Sequence, residues 1–277
     1  MSTQCRYAIL DTDFILKANI IRTADRTLAD EVLSFPGYRF FCHQKMKEEL
    51  EDHGTVGARE WLEGKIENGE ISLYDDARII QELRNAVGDN CYKYFQSFLK
   101  RGCDMFSADY YAEYFQLLDD WIAREQGDDG EFQSVLASCE GHIGHGKNYG
   151  EIKAAVLLKA LRFLDDVEIS IFCSDDFGAR QGFANVERIP CISILAVFWK
   201  LMAMGKTIEE VQPLYQSFVD WCTQRVEPQV NVKVWEFSRG TYRKVPVPIE
   251  GLLDDIFAEK YETRMNGDLQ VSNERSN

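Results

Sequence analysis

Two short apolar runs pass without a spacer into acids: Tyr7-Ala8-Ile9-Leu10 into Asp11-Thr12-Asp13, and Ile169-Ser170-Ile171-Phe172-Cys173 into Ser174-Asp175-Asp176. Continuous β-prone apolar runs of this length belong to strands covered on both faces, the condition of a parallel sheet. A third run, Ile189–Leu195, has the same character, and Tyr38–Cys42 is aromatic-rich and β-prone. Helical periodicity fills 13–33, the HQKMKEELED segment after Cys42, and 151–164. Strands alternating with helices predict an α/β fold, with a central, mostly parallel sheet flanked by helices.

The rest of the chain divides by pattern. Residues 1–204 are expected to form the α/β domain, interrupted at about 55–145 by a polar, helical insertion in which apolar residues such as Trp61, Ile66, Leu83, Phe95 and Leu118 recur at helical spacing. Its Asp104–Glu131 stretch holds nine acids and one base, Arg124, and reads as a solvated face. Glu151–Leu164 is apolar nearly all round, which marks a buried helix. Residues 205–262 read as a C-terminal extension: a helix over Thr207–Arg225, a hairpin turning at Ser238–Gly240, and a short helix over Leu252–Tyr261. Residues 263–277 are polar and expected to be disordered.

Composition excludes several function classes. With 45% hydrophobic residues the 277-residue chain is not a disordered one. Its 31 Lys and Arg against 46 Asp and Glu give a net charge of −15, unsuited to non-specific coating of nucleic acid. There is no apolar stretch long enough for a membrane span, and the N-terminus lacks the pattern of a signal peptide. Eight scattered cysteines without a Cys-x-x-Cys pair imply free thiols and a reducing, cytoplasmic setting.

The position of the acids carries the chemistry. In open parallel sheets, ligands bind outside the carboxyl ends of the strands, where both acidic segments fall. Carboxylates brought together there repel one another unless protons or cations intervene, so the cluster is a candidate site for a hard divalent ion, Mg²⁺ or Mn²⁺. On the helix after Cys42, Met46 and Leu50 define an apolar stripe; at about 100° per residue, Glu49 lies roughly 60° from Met46, at the edge of that stripe, while Glu48 points away. Glu151 opens the buried helix, a place the helix dipole favours for an acid whatever its role.

Together these pieces resemble the PIN-domain nuclease family. Leu10-Asp11-Thr12-Asp13 is similar to its first motif, with Asp13 where Asn or Ser is usual. Glu49-Leu50, Gly150-Glu151 before IKAAVLLKAL, and Ser174-Asp175-Asp176 match the later motifs in order. The resemblance covers roughly residues 5–55 and 145–200. The gap from Glu49 to Glu151 is longer than in a compact member, and the part beyond 205 has no counterpart. The resemblance implies a metal-dependent ribonuclease that cleaves single-stranded RNA. Asp11, Glu49, Glu151 and Asp176 would hold Mg²⁺ or Mn²⁺, with Asp175 the alternative to Asp176. Thr12 and Ser174 would support those ligands, and Asp13 would act through water or orient the turn. A protein inhibitor or a second copy of the chain is a further partner of the kind such enzymes take.

Three other readings compete. Asp11-x-Asp13 with a later acid pair also fits, loosely, a haloacid-dehalogenase-like phosphatase, although Phe14-Ile15 suit that motif poorly. A PIN-like fold without catalysis would leave the acids as caps in a binding or scaffold module. Cys139-x₂-His142-x₂-His145 invites zinc, but the spacing is uncommon and no fourth ligand is evident; a mobile loop placing His142 or His145 near phosphate is the preferred reading. Near the C-terminus, Arg239, Arg243 and Lys244 lie among Trp235, Phe237 and Tyr242, a combination that can hold a single strand, although an exposed hairpin with ordinary residues is the preferred reading.

Overall fold

Alternation along the first strand organises the whole molecule. In β1 (Arg6–Leu10), Ala8 and Leu10 enter one buried core and Tyr7 and Ile9 the other. The sheet therefore separates two apolar layers, as expected of strands with no solvated face. The computed structural model describes residues 6–52, 54–124, 128–143, 146–165, 169–224, 229–236 and 238–272.

After β1 come α1 (Thr12–Ile20) and α2 (Leu28–Leu33), then β2 (Tyr38–His43), α3 (Gln44–Asp52), α4 (Val56–Glu67) and β3 (Ile71–Tyr74). Next follow α5 (Asp76–Val87), α6 (Cys91–Met105), α7 (Gln116–Ala123), α8 (Asp129–Ile143) and α9 (Tyr149–Asp165). β4 (Ile169–Cys173), α10 (Phe177–Gly182), β5 (Cys191–Ile192), α11 (Ile194–Ala203) and α12 (Ile208–Gln224) complete the α/β part. The five strands are all parallel in the order β3-β2-β1-β4-β5. The expected α/β class, a parallel sheet flanked by helices, is what the molecule has.

The strand order decides where a ligand can sit. From β1 the chain runs outward through β2 to β3, then returns past β1 to place β4 on its other side. The connections leave in opposite directions at the β1–β4 junction, which opens a crevice at the carboxyl ends of those two strands. Asp11 and Ser174-Asp175-Asp176 stand there.

Four expectations need correction. The 13–33 helix is two helices. The chain bends at an Arg22–Thr27 bridge, and Thr27 and Asp30 then form a reciprocal capping box that starts α2. The insertion does not begin at 55, because α4 packs Ala58 and Leu62 into the core on one face of the central sheet and β3 pairs with β2. At four residues, β3 is too short to show a strand period in the sequence. Residues 263–272 are not a disordered tail: β8 (Tyr261–Thr263) and β9 (Leu269–Val271) join the hairpin of β6 (Gln229–Glu236) and β7 (Thr241–Pro248) in a second sheet, β7-β6-β9-β8. Leu269 is only 2% exposed. The turn at Gly267 presses so closely on β5 that a Cβ there would lie 2.8 Å from the Cys191 carbonyl oxygen, and its φ of +74° also suits glycine. Finally, His142 is in helix α8, not in a loop.

The 205–262 segment shares the main core. Leu214, Phe218 and Val219 of α12 and Leu252 and Ile256 of α13 (Leu252–Phe257) pack in the same layer as Leu10, Phe14 and Val197. The helices α5–α9 build the opposite layer around Phe95, Leu118, Phe132 and Leu157. No helix among the described residues is long and apolar enough to cross a membrane.

Candidate active site

Asp11 follows the last residue of β1 and is 4% exposed. Its backbone N–H continues the sheet by donating to the Cys173 carbonyl at 2.9 Å, which locks the two strand ends together. Ser174 Oγ donates to Asp11 Oδ2 at 2.7 Å and accepts the Asp176 N–H at 3.1 Å. One hydroxyl thus ties both acidic segments.

A crevice of ≈ 370 Å³ opens above this junction, lined by Asp11, Thr12, Asp13, Leu16, Glu49, Glu151 and Asp176. Four elements supply its acids: the β1–α1 turn, α3, the first turn of α9, and the turn after β4. Glu49 faces the crevice, with Thr12 Oγ1 donating to its Oε2 at 2.6 Å. Glu48 lines a different cleft, so the helix geometry that separated the two glutamates in the sequence is reproduced. Gly150 explains how Glu49 fits. A Cβ at 150 would come within 2.6 and 2.7 Å of the two Glu49 carboxylate oxygens. Only glycine lets that carboxylate lie against the first turn of α9, where the helix dipole favours negative charge.

The two candidates after β4 separate. Asp176 lines the crevice and also caps α10, accepting the Ala179 N–H at 2.7 Å. Asp175 turns aside to Lys17 (2.8 Å) and to the Ile194 N–H (3.1 Å). Lys17 bridges Asp175 to Asp13, also at 2.8 Å. Sequence reasoning passed over Lys17, although its i,i+4 spacing from Asp13 was a usable signal.

Electrostatics show the strain of the assembly. Burial raises the Asp11 carboxyl well above the usual carboxylate range, and the charges of Glu151, Glu49 and Asp13 add to it against the Ser174 hydrogen bond. Burial likewise raises Glu151 to about 7, helped by Glu49, Asp176 and Asp13. Among the described residues, no three His, Cys, Asp or Glu side chains are gathered closely enough to hold an ion as they stand. The carboxylates line one crevice without meeting at one point. The donor set nevertheless suits a hard divalent cation: it is all oxygen, partly desolvated, and its main energetic fault is unneutralised negative charge.

The stability of metal-free protein should follow from Glu151. The folded state keeps its proton up to about 7, whereas the unfolded carboxyl releases it near 4.5. Through this group the folded form binds more protons in between, so the Glu151 contribution to stability falls as pH rises from about 4.5 to about 7, and the raised Asp11 carboxyl adds a decline of the same sign. At 1.36 kcal/mol per unit the loss is about 3 kcal/mol. Thermal melts in chelator across that window should show the decline. Glu151→Gln should make the decline shallower, and a wild-type melting temperature that does not fall over this range contradicts the assignment.

A second cleft of ≈ 330 Å³ lies on the other side of α3 and the start of α9, lined by residues that include His43, Asp76, Glu140, Tyr149 and Lys153. Lys153 is 1% exposed and bonds Asp76 at 2.5 Å and Glu140. The Lys45 N–H donates to His43 Nδ1, leaving Nε2–H to face Asp76 at 3.2 Å. Nothing in the sequence marked this network, because its members lie on four separate elements.

The zinc reading receives no geometric help: Cys139 is buried among apolar side chains, His142 stacks on Tyr114, and His145 lies outside the described residues. The C-terminal basic residues also divide. Arg239 approaches Glu236 (3.7 Å) at the hairpin turn, while Arg243 and Lys244, adjacent in β7, point to opposite faces. Phe237 and the side chain of Trp235 lie outside the described residues. Comparison of the chain with protein-family models, with curated proteins and with solved structures finds no match.

Proposed function

We propose that the acidic crevice is the active site of a divalent-metal-dependent ribonuclease of the PIN-like kind, acting on single-stranded RNA. The observation that carries the reading is positional. Asp11, Glu49, Glu151 and Asp176, from four distant parts of the chain, line one crevice at the switch point of a parallel sheet. Acids placed only to cap helices have no reason to share a desolvated space in which Asp11 and Glu151 are pushed toward protonation.

On this reading the four carboxylates would hold Mg²⁺ or Mn²⁺. Such an ion, when bound, would supply Lewis acidity toward water and the scissile phosphate and offset the charge of the leaving oxygen. The chain itself does the positioning. Ser174 holds Asp11 and the Asp176 backbone in register, Thr12 orients Glu49, and Gly150 leaves room for the Glu49 carboxylate. Lys17 draws Asp175 and Asp13 to the rim, which makes Asp176 the better ligand of the pair. The haloacid-dehalogenase alternative requires Asp13 to transfer protons freely and gives no role to Glu49 or Glu151, so the crevice favours it less. The buried free thiols of the core suit a reducing cytoplasm.

Calorimetry with Mn²⁺ and cleavage of an end-labelled single-stranded RNA test the reading together. Saturable Mn²⁺ binding and cleavage that stops on chelation are expected. Mn²⁺ binding absent at millimolar concentration favours the scaffold alternative, and hydrolysis of a small phosphate ester through a trapped aspartyl-phosphate favours the phosphatase.

A further inference from the structure

The acidic crevice continues into a surface of opposite character. Asp176 caps α10, so Phe177, the first residue of that helix, follows directly on a crevice acid, and the residue is 42% exposed. The Lys244 ammonium lies 4.5 Å from the ring centroid and that of Lys233 5.6 Å. These lysines oppose each other directly across β6 and β7. Like charges so placed weaken a hairpin, and among the described residues one of them is answered: Lys233 pairs with Asp268 at 2.9 Å. Two positions along β7, on the same face as Lys244, Tyr242 carries the Arg264 guanidinium 4.0 Å from its ring centroid. Neither Lys244 nor Arg264 forms an ion pair with an acid among the described residues.

Cations without acidic partners, set over aromatic rings, are a local exception in a chain of net charge −15. Long-range attraction cannot deliver an anionic strand to such a protein, so affinity must come from contacts at the site. Aromatic faces for bases and neighbouring cations for phosphates are the means by which sequence-tolerant single-strand binders achieve this. Resting on the ribonuclease reading of the crevice, we infer that Phe177, Tyr242, Lys244 and Arg264 form the platform that holds the RNA strand beside the scissile bond. A base stacks on Phe177, and Lys244 and Arg264 meet the flanking phosphates. Arg243, on the opposite face of β7, takes no part.

Binding can be measured apart from cleavage in an Asp11→Asn background, by anisotropy of a labelled oligouridylate of about 15 nucleotides, ample for a single-strand site. Phe177, Arg243 and Lys244 are exposed and Arg264 is half-buried, and circular dichroism verifies the fold of each variant. Phe177→Ala should weaken binding about tenfold, the scale of one lost stacking contact, and Phe177→Tyr should restore most of it. Lys244→Ala with Arg264→Ala should weaken binding further and reduce the salt slope by about 1.4, at roughly 0.7 per phosphate contact on a single strand. Arg243→Ala should change neither quantity. Affinity and salt slope unchanged in the Phe177 and Lys244/Arg264 variants overturn the platform. If wild-type protein fails to cut RNA while the oligonucleotide still depends on these residues, the ribonuclease reading falls and the platform stands.

Discussion

Asp11→Asn is expected to lower metal-dependent RNA cleavage by about 10²–10³-fold or more, the scale of losing one electrostatic contact in a water-poor site, and at the same time to raise the melting temperature of the metal-free protein. Both effects have one origin. The Asp11 carboxylate is buried, and Glu151, Glu49 and Asp13 oppose its charge. The neutral isostere relieves that repulsion while removing the anionic oxygen a cation needs. Single-turnover cleavage with Mn²⁺ and thermal melts in chelator read the two halves separately. Adding Mn²⁺ should stabilise wild type strongly and the variant little, because binding to the folded state alone stabilises it. An Asp11→Asn protein that cuts RNA as fast as wild type, or that melts lower in chelator, sinks the assignment.

The second large effect lies away from the crevice. Lys153→Met is expected to destabilise the fold by about 3–5 kcal/mol, since removing one partner of a buried pair strands the other's charge. Burial alone would raise the Asp76 carboxyl, yet Lys153 and His43 outweigh it and hold Asp76 well below the usual carboxylate range. Lys153 is raised in turn: burial disfavours its charge, and Asp76, Tyr149 and Glu140 overcome that penalty. The depressed Asp76 contributes stability above its unfolded value, and this is lost as pH falls through the lower folded value. The raised Lys153 contributes below its unfolded value, and this is lost as pH rises through the higher folded one. The pair's contribution is therefore level between about pH 4 and pH 10. Urea denaturation of Lys153→Met, Asp76→Asn and the double variant should give a combined loss smaller than the sum of the singles. A Lys153→Met protein within about 0.5 kcal/mol of wild type, the usual range of a surface change, would show the network to be incidental. Cleavage should also decline, because Lys153 anchors the helix that presents Glu151 two residues earlier.

What could be read from the residues was whatever local periodicity encodes. Apolar runs meeting acids identify β1 and β4 because a strand covered on both faces needs side chains that avoid water on both. Glu49 was separable from Glu48 because 100° of rotation divides neighbours on any helix. The C-terminal hairpin was legible from alternation about its turn. Where local signal was weak the reading failed. β3 has four residues, and β9 has a single deeply buried one, Leu269; both are strands because a neighbouring edge supplies hydrogen bonds.

The sequence by itself determined an alternating α/β chain with acids at the ends of two buried strands, since solvent avoidance and helix rotation act between near neighbours. Only the tertiary structure decided that Asp176 rather than Asp175 faces Asp11, that Gly150 makes room for Glu49, that Lys153 bridges α5, α8 and α9, and that Lys244 reaches Phe177. Each of these depends on strand order and on contacts between residues tens of positions apart, set by how whole layers pack and not by any pattern within one segment.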